Sequence, residues 1–392
     1  MRSLRYGWVA VVLAALNSGC TFYTACPPGG NNGAGNAAGS GNQGGTGNQG
    51  GSGNQGGTGA GDLPLLEGEW IAATGNLKGQ PSQCGNLSFG TAKPDEDLLI
   101  MSVAQHGLWG STDGGETWEQ LGSESDEEQI TNRGSSILFD PDDADTWWES
   151  GLYNGTGVFK TEDNGKTFVP GNVTHNDFVS VDFSDPKRRT MLASGHEQAH
   201  KLYLSTDASE TWTEIGTYIP DEAQTCPFPY VVDADTFLLG CGSYGGGKTG
   251  IYRSTDRGLT WDKVSDLGGG SAPLVTSDGT IYWASESQGI TKSTDQGETW
   301  SEALGTNIVT GHKPWELPNG WLAALSSKSM VVSSDEGVTW EPASPALPYA
   351  PQGFFYSTYQ KAFFVYRFTC GVGTDAVPAD GVMRFDYDTD SL

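Results

Sequence analysis

The chain is short of positive charge. It sets 21 lysines and arginines against 48 acids, a net charge of −27. That sign argues against nucleic acid, and against an anionic membrane surface, as the main partner. Helical signals are nearly missing, because no stretch sustains apolar residues at three-to-four spacing. Histidine is scarce, at five residues. What is plentiful is glycine, at 57 residues, and aromatics, at 13 Trp, 14 Tyr and 15 Phe. The aromatics suffice for a packed core. Many of the glycines precede residue 62, so 392 residues do not mean two or three equal domains.

Residues 1–20 read as an export signal. Arg2 and Arg5 make the positive start, and Tyr6–Leu16 is an apolar run of 11 residues, too short for a membrane span. Asn17-Ser18-Gly19-Cys20 follows. Gly-Cys after such a run resembles a bacterial lipoprotein signal, which implies lipidation of Cys20, although Leu16 stands four residues before the Cys instead of three. Ordinary signal-peptidase cleavage nearby is the alternative. Residues 21–64 are rich in Gly and Asn, with Asn42-Gln43-Gly44-Gly45-Thr46-Gly47 and two near-copies starting at Asn48 and Asn54. Such a stretch buries nothing and reads as a disordered tether.

Residues 65–392 are organised by one phrase, Ser/Thr-x-Asp-x-Gly-x-Thr-Trp. Its copies begin at Ser111, Thr161, Ser205, Ser254, Ser293 and Ser333, which lie 50, 44, 49, 39 and 40 residues apart. That period signals a repeat architecture. The second unit reads as four strands: Ser136 to Phe139, Thr146 to Gly151, Gly157 to Thr161 and Thr167 to Pro170. The phrase forms the turn between strands three and four. Four strands per 40–50 residues make a propeller blade, so the fold class is all-β. After the last phrase 52 residues remain, enough for three strands, Gly353 to Thr358, Lys361 to Phe368 and Val382 to Tyr387. An unused strand at Glu69 to Thr74 pairs with them if the ring closes at seven blades. Six blades with an appendage is the alternative.

The phrase resembles the Asp box, or BNR repeat, of sialidases, xyloglucanases, sortilin-type receptors and photosystem II assembly factors. Within it Asp113, Asp163, Asp207, Asp256, Asp295 and Asp335 accept backbone N–H bonds in hairpin turns. They read as fold staples, not catalytic acids. The glycine of the phrase supplies positive φ. Ser209 replaces it in copy three, so that turn is expected to be strained or different. The closing Trp or Phe is expected to pack between blades.

The cysteines suit an oxidising compartment. Cys226 and Cys241 fall on consecutive strands and are candidates for a bridge. Cys84 and Cys370 become neighbours if the ring closes as described. Other pairings remain open.

Alternate loops fall on opposite faces. The phrases mark one face. On the other, His106, His196 and His200 are expected after second strands, and His175 and His312 after fourth strands. Tyr153, Glu197, Tyr244, Lys248, Glu286, Lys313, Trp315, Glu316 and Arg367 share those loops, with Arg133 and the acidic run Ser123 to Glu128. This segregation makes that face the candidate ligand face. No metal site is expected. His196 and His200 have helical metal spacing but sit in a loop. No cofactor is required, and the acidic run is the one place where Ca²⁺ is worth testing.

The resemblance leaves three readings open, since fold does not choose function. The first is a non-catalytic, monomeric propeller, exported to the outer membrane or cell surface or else secreted. It binds a polysaccharide or surface protein and touches the membrane only through an N-terminal lipid. The second is a glycoside hydrolase, with Glu197, Glu286 and Glu316 as weak candidates for its carboxyl pair. A sialidase needs three converging arginines. Of nine arginines only Arg133 and Arg367 reach the loop face, and an Arg-Ile-Pro motif is absent. Xyloglucanases of this kind set two propellers across a cleft, and one is present here. The third reading is an assembly factor of the photosystem II type.

Overall fold

The computed structural model describes residues 65–82, 86–124, 129–286, 289–370 and 376–391. The export signal with Cys20, the linker, Cys84 and residues 125–128 of the acidic run lie outside them.

Seven antiparallel sheets form a ring, six of four strands and one of three. Blade two runs Arg133–Phe139, Trp147–Leu152, Val158–Thr161 and Val169–Pro170 from the centre outward. Blade one begins at Leu87–Ala92, blade three at Asn176–Val181, blade four at Thr225–Val231, blade five at Leu274–Val275, blade six at Trp315–Glu316 and blade seven at Gly353–Ser357. Second strands such as Leu99–Val103, Met191–Gly195 and Ala362–Tyr366 are buried along their whole length. Each blade is covered on both faces by its neighbours, so these strands read as apolar runs without polar alternation. Outer strands such as Glu119–Gln120 and Thr213–Glu214 are two residues long and exposed. An edge that short offers little backbone for another chain to pair with.

The ring closes at seven blades. Ile71–Ala72 is the outer strand of blade seven and pairs with Val382–Asp386, Ile71 opposite Arg384 and Ala72 opposite Met383. Beyond that strand, Ala73 N–H donates to Val382 O (2.9 Å), Thr74 Oγ1 donates to the same carbonyl (3.2 Å) and accepts Val382 N–H (2.9 Å). The first and last parts of the propeller thus share one sheet.

All six phrases adopt one geometry. In the first, Asp113 Oδ1 accepts Thr117 N–H (2.9 Å) and the Ser111 hydroxyl (2.8 Å), while Oδ2 accepts the Thr117 hydroxyl (2.5 Å). Ser111 Oγ in turn accepts Gly115 N–H (2.9 Å). Burial alone would raise Asp113, but the bonds from Thr117 and Ser111 outweigh it and hold the carboxyl at about 2. Four of the six closing aromatics, Trp118, Phe168, Trp261 and Trp340, are buried, and Trp212 and Trp300 are half-buried. Trp118 packs with Ala73 and Phe364 of blade seven, and Phe168 with Leu98 and Leu121 of blade one. Copy three does not depart in shape. Ser209 takes φ 73° and its N–H still reaches Ser205 Oγ (3.0 Å), so the strained alternative holds.

Cys226 and Cys241 are bonded across the inner and second strands of blade four. Cys370 is disulfide-bonded as well, and its expected partner Cys84 lies outside the described residues.

Candidate functional site

Each blade is an up-and-down meander, so its first and third turns share one end and its second turn and exit loop share the other. Contacts between turns confirm the assignment. Asn164, in a phrase, donates its N–H to Asp145 O in the first turn of the same blade (3.0 Å). Arg188, in the first turn of blade three, pairs with Asp140 of blade two through Nε (2.8 Å) and Nη2 (2.7 Å). Arg188 is therefore tied down on the phrase side and unavailable to the loop face.

On the loop face, blades two to four bring one group together. His196 follows the second strand of blade three and is buried. Its Nδ1 is hydrogen-bonded to Asp177 Oδ1 (2.7 Å) and its Nε2 to the Tyr153 hydroxyl (2.9 Å). Asp177 lies on the inner strand of blade three. Burial raises its pKa, opposed by the bond from His196. Tyr153 has a left-handed backbone, φ 68°, and its N–H donates to His175 Nδ1 (3.2 Å). The rings of Tyr153, His175 and His196 meet edge-on, with centroids 4.9–5.3 Å apart. The Arg133 guanidinium covers the Tyr153 ring at 4.9 Å. Burial lowers Arg133, offset by Tyr153, and lowers His175, helped by the charge of His196.

Glu197 completes the group from the exposed side. It also has a left-handed backbone, φ 51°, and its carboxylate stands 3.8 Å from His196 Nε2. Its charge, followed by burial and a hydrogen bond, raises the pKa of Tyr244. Burial first, then Glu197, raises that of Tyr153. Both phenols are therefore neutral at pH 7. Tyr153 and Tyr244 are 43% and 57% exposed, so an anchored polar group carries two open aromatic surfaces.

The remaining candidates fall elsewhere. His106 is exposed in blade one, apart from the group, and its carbonyl accepts Trp109 Nε1–H (3.0 Å). His200 N–H donates to Gln224 O (2.9 Å), while its Nε2 is buried without a partner. Arg367 pairs with Asp380 and covers Tyr349 at 5.4 Å. Glu286 accepts Ser243 N–H (2.7 Å).

Two expectations need correction. Trp315 and Glu316 are not in a loop but form the short inner strand of blade six. That strand runs toward the phrase side, where Glu316 accepts the Ser277 N–H and hydroxyl, each at 2.8 Å, in the first turn of blade five. Glu316 is thus on the opposite face from Glu197. His312 and Lys313 lie, as expected, in the loop that leaves blade five ahead of that strand, and they line the central channel. Among the described residues, no three His, Cys, Asp or Glu side chains are placed to hold a metal ion.

Asp177 escaped the sequence reading. Its one signal was a polar pair, Asn176-Asp177, opening an otherwise apolar strand. The buried Glu149 on the second strand of blade two escaped in the same way.

The fold is a seven-bladed β-propeller with Asp boxes on one face. Comparison places it beside several other proteins. The Sortilin-Vps10 family (sortilin, neurotensin receptor 3) matches residues 106–240. A xyloglucanase of Hypocrea jecorina (strain QM6a) is 24% identical over 284 residues, 71% of this chain. The chain spans 28% of that enzyme's length. Among solved structures, YCF48 bound to D1 peptide superposes with a TM-score of 0.52 at 14% identity, covering 83% of this chain and all of the other. An ancestral GH74 enzyme gives 0.50 at 13% identity, covering 83% of this chain and 47% of the other. At such identities the superpositions carry the fold alone.

Proposed function

We propose that this chain is an exported, non-catalytic propeller that binds a glycan on the loop face, at the group built around Tyr153, His196, Glu197 and Tyr244. The observation that carries this reading is the pair of exposed tyrosines standing on a hydrogen-bonded polar base. Sugar rings present C–H faces that pack on aromatic rings, and hydroxyls that need donors and acceptors in fixed places. Glu197 and the phenol oxygens, whose own hydroxyls are engaged by His196 and Glu197, offer acceptors to sugar hydroxyls, and Arg133 stiffens the Tyr153 ring. The imidazole of His196 is held from beneath by Asp177, so little side-chain entropy remains to be lost on binding.

Hydrolysis is less well supported. A glycosidase needs two carboxyl groups across one bond, about 5–10 Å apart. Of the three candidates, Glu316 is engaged by Ser277 on the far face and Glu286 by the Ser243 amide. Glu197 stands among phenols and imidazoles with no second free carboxyl assigned to it. The similarity to xyloglucanase covers a minor part of that enzyme, and its activity does not follow from it.

Export is supported by the Cys226–Cys241 bond. Surface anchoring through a lipidated Cys20 belongs to the same proposal, and Cys20→Ala would release the protein from membranes.

The test is a plant and bacterial polysaccharide panel scored for binding and for reducing ends. Binding without turnover is expected, weakened about tenfold or more by Tyr244→Ala and by Glu197→Gln, a loss of at least about 1.4 kcal/mol. Reducing sugar released by the wild type and abolished by Glu197→Gln or Glu286→Gln would overturn the reading. So would affinity indifferent to both substitutions.

A further inference from the structure

The seven inner segments enclose a central channel of about 710 Å³. Its wall reaches from Glu286 and Gly311 at the loop face to Pro94, Glu316 and Thr358 near the phrase face. Phe89, Phe139, Phe178, Phe228, Phe354 and Tyr366 line it, and they come from blades one, two, three, four and seven. Blade six adds Trp315. Phe178 and Phe228 already pack on one another at 4.8 Å. A wall of this composition and a volume of this size match ordinary small-ligand pockets, which hold a few polar groups against an apolar lining.

The charges on that wall are few. Lys93 is held by Asp95 (3.3 Å), Glu96 (3.2 Å) and Asp145 (2.5 Å). Glu286 and Glu316 are bonded to Ser243 and Ser277. His312 shares a bond with Thr310 Oγ1 (2.9 Å), and burial lowers its pKa against the carbonyls of Gln352 and Pro351, so it is neutral at pH 7. Burial raises the pKa of the Tyr366 phenol. Lys313 differs from all of these. It stands beside Trp315 with no ion pair or hydrogen bond to its amine among the described residues. Enclosure by protein, with no charge or bond to offset it, lowers the amine to about 8. Its side chain is nonetheless wetted by the channel, which tempers that shift.

We propose that the channel is a second ligand site, for a small organic carboxylate with a flat apolar body, its anion on the Lys313 ammonium and its body against the aromatic wall. Both halves of such a ligand find what they lack in water. The ring leaves solvent for a preformed apolar surface, and the carboxylate meets a channel-lining cation that has no partner among the described residues. The site is independent of the loop-face group, since neither Lys313 nor the channel phenylalanines belong to it.

The probes are 2-naphthoate and its uncharged isostere 2-naphthamide, titrated calorimetrically into the full chain at pH 7. Naphthoate is expected to bind about tenfold more tightly than the amide, a preference worth about 1.4 kcal/mol. Lys313→Arg should keep that preference and Lys313→Gln should remove it, while glycan binding at the loop face stays unchanged in both. Equal affinity for the two probes overturns the proposal. So does failure of naphthoate to bind, or a preference that survives Lys313→Gln. Should Lys313→Gln not fold, the wild type decides alone. Its preference must fall as pH rises from about 7 to about 11 through the titration of the amine, and a preference constant over that range overturns the proposal equally.

Discussion

Buried ionisable side chains carry the sharpest consequences at the scale of single residues. Glu149 is fully buried on the second strand of blade two and takes one bond, from Asn132 Nδ2 (3.1 Å). Burial raises its carboxyl from 4.5 to about 8, only partly opposed by that bond. The folded protein therefore holds Glu149 protonated at pH 7, whereas the unfolded chain ionises it. Stability from this group is complete below pH 4.5, declines as pH rises toward 8 and is level above. Glu149→Gln keeps the acceptor and removes the titration. We expect the variant to be more stable at pH 7 by on the order of 2–3 kcal/mol and to lose the decline, as read by urea denaturation across pH 4 to pH 9. An unchanged pH profile would show that Glu149 does not carry it. Asp177 is the contrasting case. It is equally buried but has His196 to hold, so its charge state belongs to a pair and serves to orient Tyr153.

Hairpin turns are the repeated element, and copy three shows what the phrase demands of its glycine. Two consecutive left-handed residues open each turn. In copy three these are Ala208 at φ 60° and Ser209 at φ 73°, whereas Gly258 and Gly297 take the second position in copies four and five. An L-residue there costs roughly 1 kcal/mol relative to glycine. Ser209→Gly should therefore stabilise the protein by about that amount in equilibrium denaturation, without loss of the Thr211–Asp207 bonds. The same change at an exposed serine outside a left-handed turn should destabilise slightly. The phrase was fully legible in the sequence because its bonds are local: Asp113, Ser111, Gly115 and Thr117 satisfy one another within four residues. Blade six was less legible. Its inner strand, Trp315–Glu316, is two residues long and follows a proline, so period-two alternation had no length in which to appear.

At the scale of the whole molecule, ring closure depends on contacts between distant parts of the chain. Thr74 and Val382 are separated by 308 positions and exchange two bonds through one hydroxyl. Thr74→Val preserves shape and removes both. It leaves the Val382 N–H buried without that acceptor, at a cost of about 1–3 kcal/mol. We expect lower denaturant resistance together with faster proteolysis near residue 70. Lower resistance without that local sensitivity would place the weakness elsewhere in the ring.

The candidate site was legible by face and not by partner. Counting strands put His175, His196, Tyr153, Glu197 and Tyr244 on one side. The same counting put Glu316 and Trp315 there wrongly, because it took a short inner strand for a loop. What the sequence determined alone is the repeat: six phrases, the period of the blades, and the surplus strands at the two ends that make seven. Each of these rests on interactions within a few residues, or on composition. Tertiary structure decided which loops converge. Tyr153 reaches His196 across 43 positions, and no local pattern encodes that distance. It also decided that Lys313 faces an aromatic channel. A channel exists only once seven inner strands stand in a ring, so no single segment could announce it.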